Sequence, residues 1–156
     1  MKKVLVGYYS KGGNTEKVAN LIVETLRAKG VDAVVKKVEE INIDDLPSFD
    51  GYIIGSPNYF GGMAYPVKKF FDESVKYFKK LEGKLGAAFT STGMIGGGGE
   101  TVLIDILKAF LIHGCLVLGY CSCGHYGPVA IGAPDDRIKR EVEIMVTKYV
   151  ETLNKL

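Results

Sequence analysis

Three short stretches of this chain concentrate the side chains able to do chemistry. The first, Ser10-Lys11-Gly12-Gly13-Asn14-Thr15, brings hydroxyls, an amide, a lysine and two glycines together within six residues. It joins an apolar run to a segment of helical spacing, which places its backbone N–H groups at a helix amino terminus. Such groups lack intrahelical partners and face outward at the positive end of the helix dipole, a geometry that suits a phosphate. Hydrogen bonds to a charged group contribute ~1.5–3 kcal/mol each, so a few from the backbone, Ser10, Asn14 and Thr15 would hold a phosphomonoester with little positive charge. The competing reading is that Asn14 or Thr15 only caps the helix and the glycines only turn the chain. A cap accounts for one of these residues and leaves the cluster unexplained.

The second stretch, Ser56-Pro57-Asn58-Tyr59-Phe60-Gly61-Gly62-Met63, sets two aromatics and a methionine beside two glycines. Aromatic faces and a thioether suit a flat conjugated ring, and glycines let the backbone approach its polar edge. A hydrophobic loop packed on the end of a sheet would read the same way. The third stretch, Thr90 to Glu100, carries Ser91-Thr92-Gly93-Met94 and then four consecutive glycines, Gly96 to Gly99. Ordering such a run is entropically costly, and a ligand that orders it would offset part of that cost.

What these stretches lack narrows the chemistry. Neither Gly-x-x-x-x-Gly-Lys-Ser/Thr nor Gly-x-Gly-x-x-Gly occurs, which excludes a triphosphatase loop and the dinucleotide fingerprint. No cysteine or arginine stands in the first loop to form a phosphocysteine. The carboxylates that a response-regulator phosphoacceptor needs are replaced by Tyr9-Ser10 and Gly55-Ser56. A phosphate here is held rather than transferred.

The elements that must position these loops are legible from periodicity. Strands are expected at Lys3 to Tyr9, Asp32 to Val38, Tyr52 to Gly55, Leu85 to Phe89 and Cys115 to Leu118. Helices are expected around Val18, Leu21, Ile22 and Leu26; around Val67, Phe70, Phe71 and Phe78; through Leu103, Ile106, Leu107 and Phe110; and through Ile138, Val142, Met145, Tyr149 and Leu153. Mixed polarity in the second strand suits a sheet edge. Strand and helix in alternation make an α/β fold, a doubly wound five-stranded parallel sheet with helices on both faces. Ligands of such sheets lie beyond the carboxyl ends of the strands, where the winding reverses. The loops after strands one, three and four are therefore where function is expected.

Composition agrees with one globular domain over residues 1–156. A chain of 156 residues buries about 68–70% of the surface its unfolded form exposes. Its 47% hydrophobic and 24% charged residues are ordinary proportions. The longest apolar runs, Ala109 to Ile112 and Cys115 to Leu118, are far shorter than a membrane span. Met1-Lys2-Lys3 leads into too short an apolar stretch for a signal peptide. A net charge of +2 with both signs interspersed gives no sign of nucleic acid or of an anionic membrane as partner. Cys115, Cys121 and Cys123 have no metal-ligand spacing and no Cys-x-x-Cys pair; Cys121-Ser122-Cys123 has the chemistry of a soft-metal site or a regulatory thiol, but the reading taken is of small hydrophobes in a reducing cytoplasm, and no metal is expected.

At the three loops the sequence resembles the flavodoxin-like flavoproteins, and within them most closely the quinone reductases of the WrbA type. The resemblance rests on Tyr8-Tyr9-Ser10, on Gly55-Ser56-Pro57-Asn58-Tyr59-Phe60-Gly61-Gly62-Met63, and on Ser91-Thr92-Gly93 with Gly96 to Gly99. It covers nearly the whole chain and implies strand order 2-1-3-4-5 with FMN at the switch point. By resemblance, Ser10, Lys11, Gly12, Gly13, Asn14 and Thr15 hold the FMN phosphate. Pro57, Asn58, Tyr59, Phe60 and Gly61 line the isoalloxazine, and Ser91, Thr92, Gly93, Met94, Gly96 and Gly97 close its other side. His113-Gly114 falls where that family has a histidine-glycine pair. Electron-carrier flavodoxins are strongly acidic around the flavin; few carboxylates occur in these loops, so a flavin potential less negative than theirs is expected.

Two functions follow from the resemblance. One is an NAD(P)H-dependent oxidoreductase passing electrons through FMN to a quinone or similar small acceptor; the other is an electron carrier between redox-protein partners. A flavin-free module of the same fold is a third. His125 and Tyr126, in the loop after the fifth strand, have the chemistry to bind a ligand beside the flavin, and equally that of an ordinary capped turn. An apolar fifth strand at a sheet edge leaves room for a homo-oligomer.

Overall fold

The structure is a computed structural model and describes residues 1–156. Its elements, numbered in chain order, begin with β1 (Lys3–Tyr8), α1 (Asn14–Ala28) and β2 (Asp32–Lys37). There follow β3 (Gly51–Tyr59), β4 (Gly62–Met63), α2 (Tyr65–Glu73), β5 (Leu85–Thr92) and α3 (Gly99–Ile112). The chain ends with β6 (Leu116–Val117), β7 (Val129–Ile131) and α4 (Asp136–Leu153). The parallel sheet runs β2-β1-β3-β5-β6, so the five expected positions stand in the expected order.

Apolar runs such as Val4-Leu5-Val6 and Tyr52-Ile53-Ile54 lack alternation because helices cover both faces of the sheet. One face buries Val18, Ile22 and Leu26 of α1 against Val142, Met145 and Tyr149 of α4. The other buries Val67, Phe70 and Phe71 of α2 against Leu103, Ile106 and Phe110 of α3. Beneath the ligand end, Gly55 admits the Phe89 ring, since a Cβ there would lie 2.1 Å from it.

Four details differ from the sequence reading. The fifth position is shared: β6 pairs with the start of β5 at Leu85 and Gly86, and β7 with its end at Thr90 to Thr92. The crossover from β2 to β3 is not an α-helix but two 3₁₀ turns, Val38–Glu40 and Ile43–Ser48, the second containing Pro47. Phe78 lies beyond α2, after a further 3₁₀ turn at Ser74–Tyr77, and is 48% exposed. Of the three thiols only Cys115 is a buried hydrophobe; Cys121 is exposed on the loop between β6 and β7, and Cys123 is half-buried. No helix is long and apolar enough to cross a membrane.

Candidate cofactor site

Strand order reverses between β1 and β3, where the chain leaves in opposite directions toward β2 and β5. The loops beyond these strands separate there into an open cleft of about 240 Å³. Eleven of the residues read from the sequence line it: Ser10, Lys11, Gly12, Asn14, Thr15, Pro57, Asn58, Tyr59, Ser91, Thr92 and Gly93.

At the phosphate end, Gly13 is the N-cap of α1 with φ 96°, and no side chain caps the helix. The capping explanation for Asn14 and Thr15 is thereby removed. Ser10 Oγ accepts from Gly13 N at 3.0 Å and folds the loop over the helix end. No carbonyl of the chain accepts from the N–H groups of Lys11, Gly12, Asn14, Thr15 or Glu16. Free donors at a helix amino terminus form an anion cradle. The cradle is anchored below by a 2.8 Å hydrogen bond between the Thr15 and Ser91 hydroxyls, both buried.

The ring end is built by a hairpin. Asn58 pairs with Met63 and Tyr59 with Gly62, leaving Phe60 and Gly61 at the tip with φ 54° and 79°. Two positive φ angles make a tight hairpin turn, which glycine adopts freely and phenylalanine only under strain. Asn58 holds that turn and ties it to the glycine loop. Its Oδ1 accepts from Gly61 N at 2.8 Å, and its Nδ2 donates to Gly97 O at 2.6 Å and Thr92 Oγ1 at 3.0 Å. Thr101 Oγ1 completes the tie at Gly61 O, 2.5 Å away. At the hairpin's base Ser56 Oγ accepts from Ala64 N at 2.8 Å. Tyr59 stands edge-on to Tyr9 with ring centroids 6.2 Å apart, and burial followed by the neighbouring Tyr59 pushes the Tyr9 hydroxyl's pKa up. Tyr8, turned inward, has its pKa raised to about 12, first by burial and then by its hydrogen bond to Glu16.

The remaining sequence-predicted residues flank this cleft. Phe60 and Gly61 face a depression beside α3, while Met94 and Gly96 border another next to β7. Gly97 contributes its carbonyl to Asn58. His113 lies elsewhere, buried at the end of α3 with Nε2 2.7 Å from Ser74 Oγ. His125 Nδ1 lies 2.7 Å from the carbonyl of Tyr120, shaping its own loop. Two residues escaped the sequence reading. Gly132, with φ 70°, lines the cleft and donates to Thr92 O at 2.9 Å; the turn Gly132-Ala133-Pro134 after a short apolar run was its signal. Thr101 gave no signal, being one exposed threonine in a helix.

FMN fits these groups. The N–H groups at the start of α1 without a carbonyl partner, with the Ser10 hydroxyl beside them, are the donors a phosphate would need, and Tyr59 with the backbone of the two tied loops offers the faces and polar edges a flat ring would need. Comparisons with known proteins agree. Residues 6–90 match the family model described as Flavodoxin. A flavodoxin of Aquifex aeolicus is 35% identical over 149 residues, spanning 90% of this chain and 80% of its own. An NAD(P)H dehydrogenase (quinone) of Archaeoglobus fulgidus is 28% identical and matches over the full length of both chains. A solved flavodoxin from the domain Archaea superposes with a TM-score of 0.83 at 27% identity, over 97% of this chain and 99% of its own. The chain therefore belongs to the flavodoxin family and is an FMN-binding redox flavoprotein.

Proposed function

We propose that this protein is an NAD(P)H-dependent oxidoreductase that reduces a quinone or a similar small acceptor through FMN. Bound FMN supplies hydride acceptance and electron release; the polypeptide supplies binding, orientation and electrostatics. The free N–H groups at the start of α1, with Ser10 and Thr15, hold the phosphate. Pro57, Asn58, Tyr59 and the loop from Ser91 to Gly97 hold the ring plane. The hairpin tip and glycine loop, fixed by Asn58 and Thr101, set the width of the slot.

The observation that carries this reading is the charge of the lining: among the residues lining the cleft itself Lys11 alone is charged, while Glu100 and Asp105 stand in the flanking depressions, each with a basic residue, Arg137 or Lys108, in the same lining. A nicotinamide dinucleotide is itself anionic, and an acidic rim would repel it. With Lys11 in that place its approach is favoured. The test is steady-state oxidation of NADH and of NADPH by the FMN-loaded protein with benzoquinone as acceptor. Turnover well above that of free FMN supports the proposal, and none with either nucleotide overturns it.

A second reading, the electron carrier, draws support from Phe60, Met94 and Ile95, which stand fully or mostly exposed beside the cleft and would dock a redox-protein partner. We place the protein in the cytoplasm, where its three free thiols stay reduced. Leu116, 45% exposed on edge strand β6, is where a homo-oligomer would cover the sheet.

A further inference from the structure

A second concavity is larger than the cofactor cleft. It is an open groove of about 400 Å³ between α2 and α3, with Met63 of the hairpin and His113 among its lining residues. Its walls are mainly apolar, from Phe71, Val75, Phe78, Ala109 and Ile112. Its volume is that of a small-molecule site.

His113 gives the groove a specific polar demand. Ser74 Oγ lies 2.6 Å from Phe71 O, which can only accept, so the single Ser74 proton points there. The same oxygen is 2.7 Å from His113 Nε2 and therefore accepts from it. The imidazole is fixed as the Nε2–H tautomer, and burial, which lowers its pKa, keeps it neutral. Nδ1 is left as a bare acceptor, with no partner and no access to water, on a residue only 8% exposed. A buried acceptor without a donor costs stability, and an apolar residue in its place would not.

The charged residues around the groove make no demand of their own. Lys68 pairs with Asp72 at 2.6 Å, and Lys108 with Asp105 at 3.2 Å. A neutral occupant suits them. We propose that the groove binds a small, flat, neutral and largely apolar molecule carrying one hydrogen-bond donor, a phenol-like compound whose O–H or N–H reaches His113 Nδ1. Nδ1 is closed to the groove as it is to water, so an occupant reaches it only when a lining side chain moves, and we assign that motion to the Phe78 ring, 6.4 Å from the imidazole and half exposed, whose rotamer changes take picoseconds to nanoseconds. The proposal is independent of the reaction at FMN.

The test is titration of the FMN-loaded protein, labelled with ¹⁵N-histidine, with phenol and with anisole, which keeps the shape and lacks the donor. Saturable binding of phenol at least tenfold tighter than of anisole is expected, with the His113 Nδ1 resonance moving toward the hydrogen-bonded position and His125 unmoved. Ala109→Trp, which fills the groove, abolishes it; Ile112→Glu at the exposed mouth weakens it should the first variant not fold. Equal binding of phenol and anisole, an unmoved His113 resonance, or phenol binding that persists in a folded groove variant overturns the proposal.

Discussion

Thr15 Oγ1 and Ser91 Oγ lie 2.8 Å apart, a buried pair that joins the first turn of α1 to the end of β5 across 76 residues of sequence. Through it the phosphate cradle and the glycine loop share one anchor. Thr15→Val leaves the Ser91 hydroxyl without its partner in a site where it is 7% exposed. A loss of about 1–3 kcal/mol in unfolding free energy of the FMN-free protein is expected, with Thr15→Ser recovering most of it. Chemical denaturation of the two variants measures the difference.

Gly12 separates phosphate binding from backbone geometry. A Cβ built there meets no protein atom within 4 Å and Gly12 has no positive φ, so Gly12→Ala leaves the fold intact and is expected to weaken FMN far less than a charged substitution does. Gly12→Asp sets a carboxylate among the free N–H donors and competes with the phosphate, so FMN affinity falls by roughly a hundredfold or more. Riboflavin, which has no phosphate, binds both variants alike. Fluorescence titration with each flavin checks this.

Asn58 makes three hydrogen bonds to two loops. Asn58→Ala frees the strained Phe60-Gly61 turn from the glycine loop, and FMN dissociation accelerates by roughly tenfold, the equivalent of about 1.4 kcal/mol. Stopped-flow displacement of FMN gives the rate; an unchanged value would mean that the ring loops hold their spacing without the tie.

Much of this was legible in the sequence because the fold announces itself locally. Val4-Leu5-Val6 and Leu85 to Phe89 had to be central strands, since only a sheet covered on both faces tolerates runs without alternation. The free helix end at Gly13 was readable from glycines placed before a helical pattern. The fifth strand was legible at Cys115 to Leu118, where β6 stands, but β7 was not, because it contributes only three residues and its pairing with the end of β5 is a tertiary fact. The Asn58–Gly97 tie and the partnership of Ser74 with His113 join residues 39 positions apart in each case, a relationship no local pattern carries.

His113 also sets a pH dependence. Burial lowers its pKa below the value of about 6.5 it has when unfolded, so the unfolded chain takes up the proton first. Its contribution to stability is complete above about pH 6.5 and is lost as pH falls from there through the lowered folded value, with a slope of at most about 1.4 kcal/mol per pH unit. The charged groups in the same groove, Lys68, Asp72, Asp105 and Lys108, are already paired with one another. His113→Gln flattens the stability profile between about pH 6.5 and pH 5, measured by urea denaturation across that range.

The charge of the cleft carries a prediction for the flavin's potential. With Lys11 and no carboxylate among the residues lining the cleft, the negative charge gained on reduction is expected to be stabilised and the potential to be less negative than in an acidic-rimmed carrier. Lys11→Glu reverses that charge and lowers the potential by tens of millivolts, about 59 mV corresponding to a tenfold change for one electron. Anaerobic redox titration of both proteins decides it, and an unshifted couple would remove Lys11 from the account.

The claim that hydride reaches FMN from a nicotinamide is tested most directly by mixing the FMN-loaded protein anaerobically with NADH or NADPH and following the absorbance of oxidised flavin. The account predicts rapid bleaching by at least one nucleotide, reversed on adding benzoquinone. A flavin that remains bound and oxidised with both would contradict it and leave a carrier that takes its electrons from protein partners.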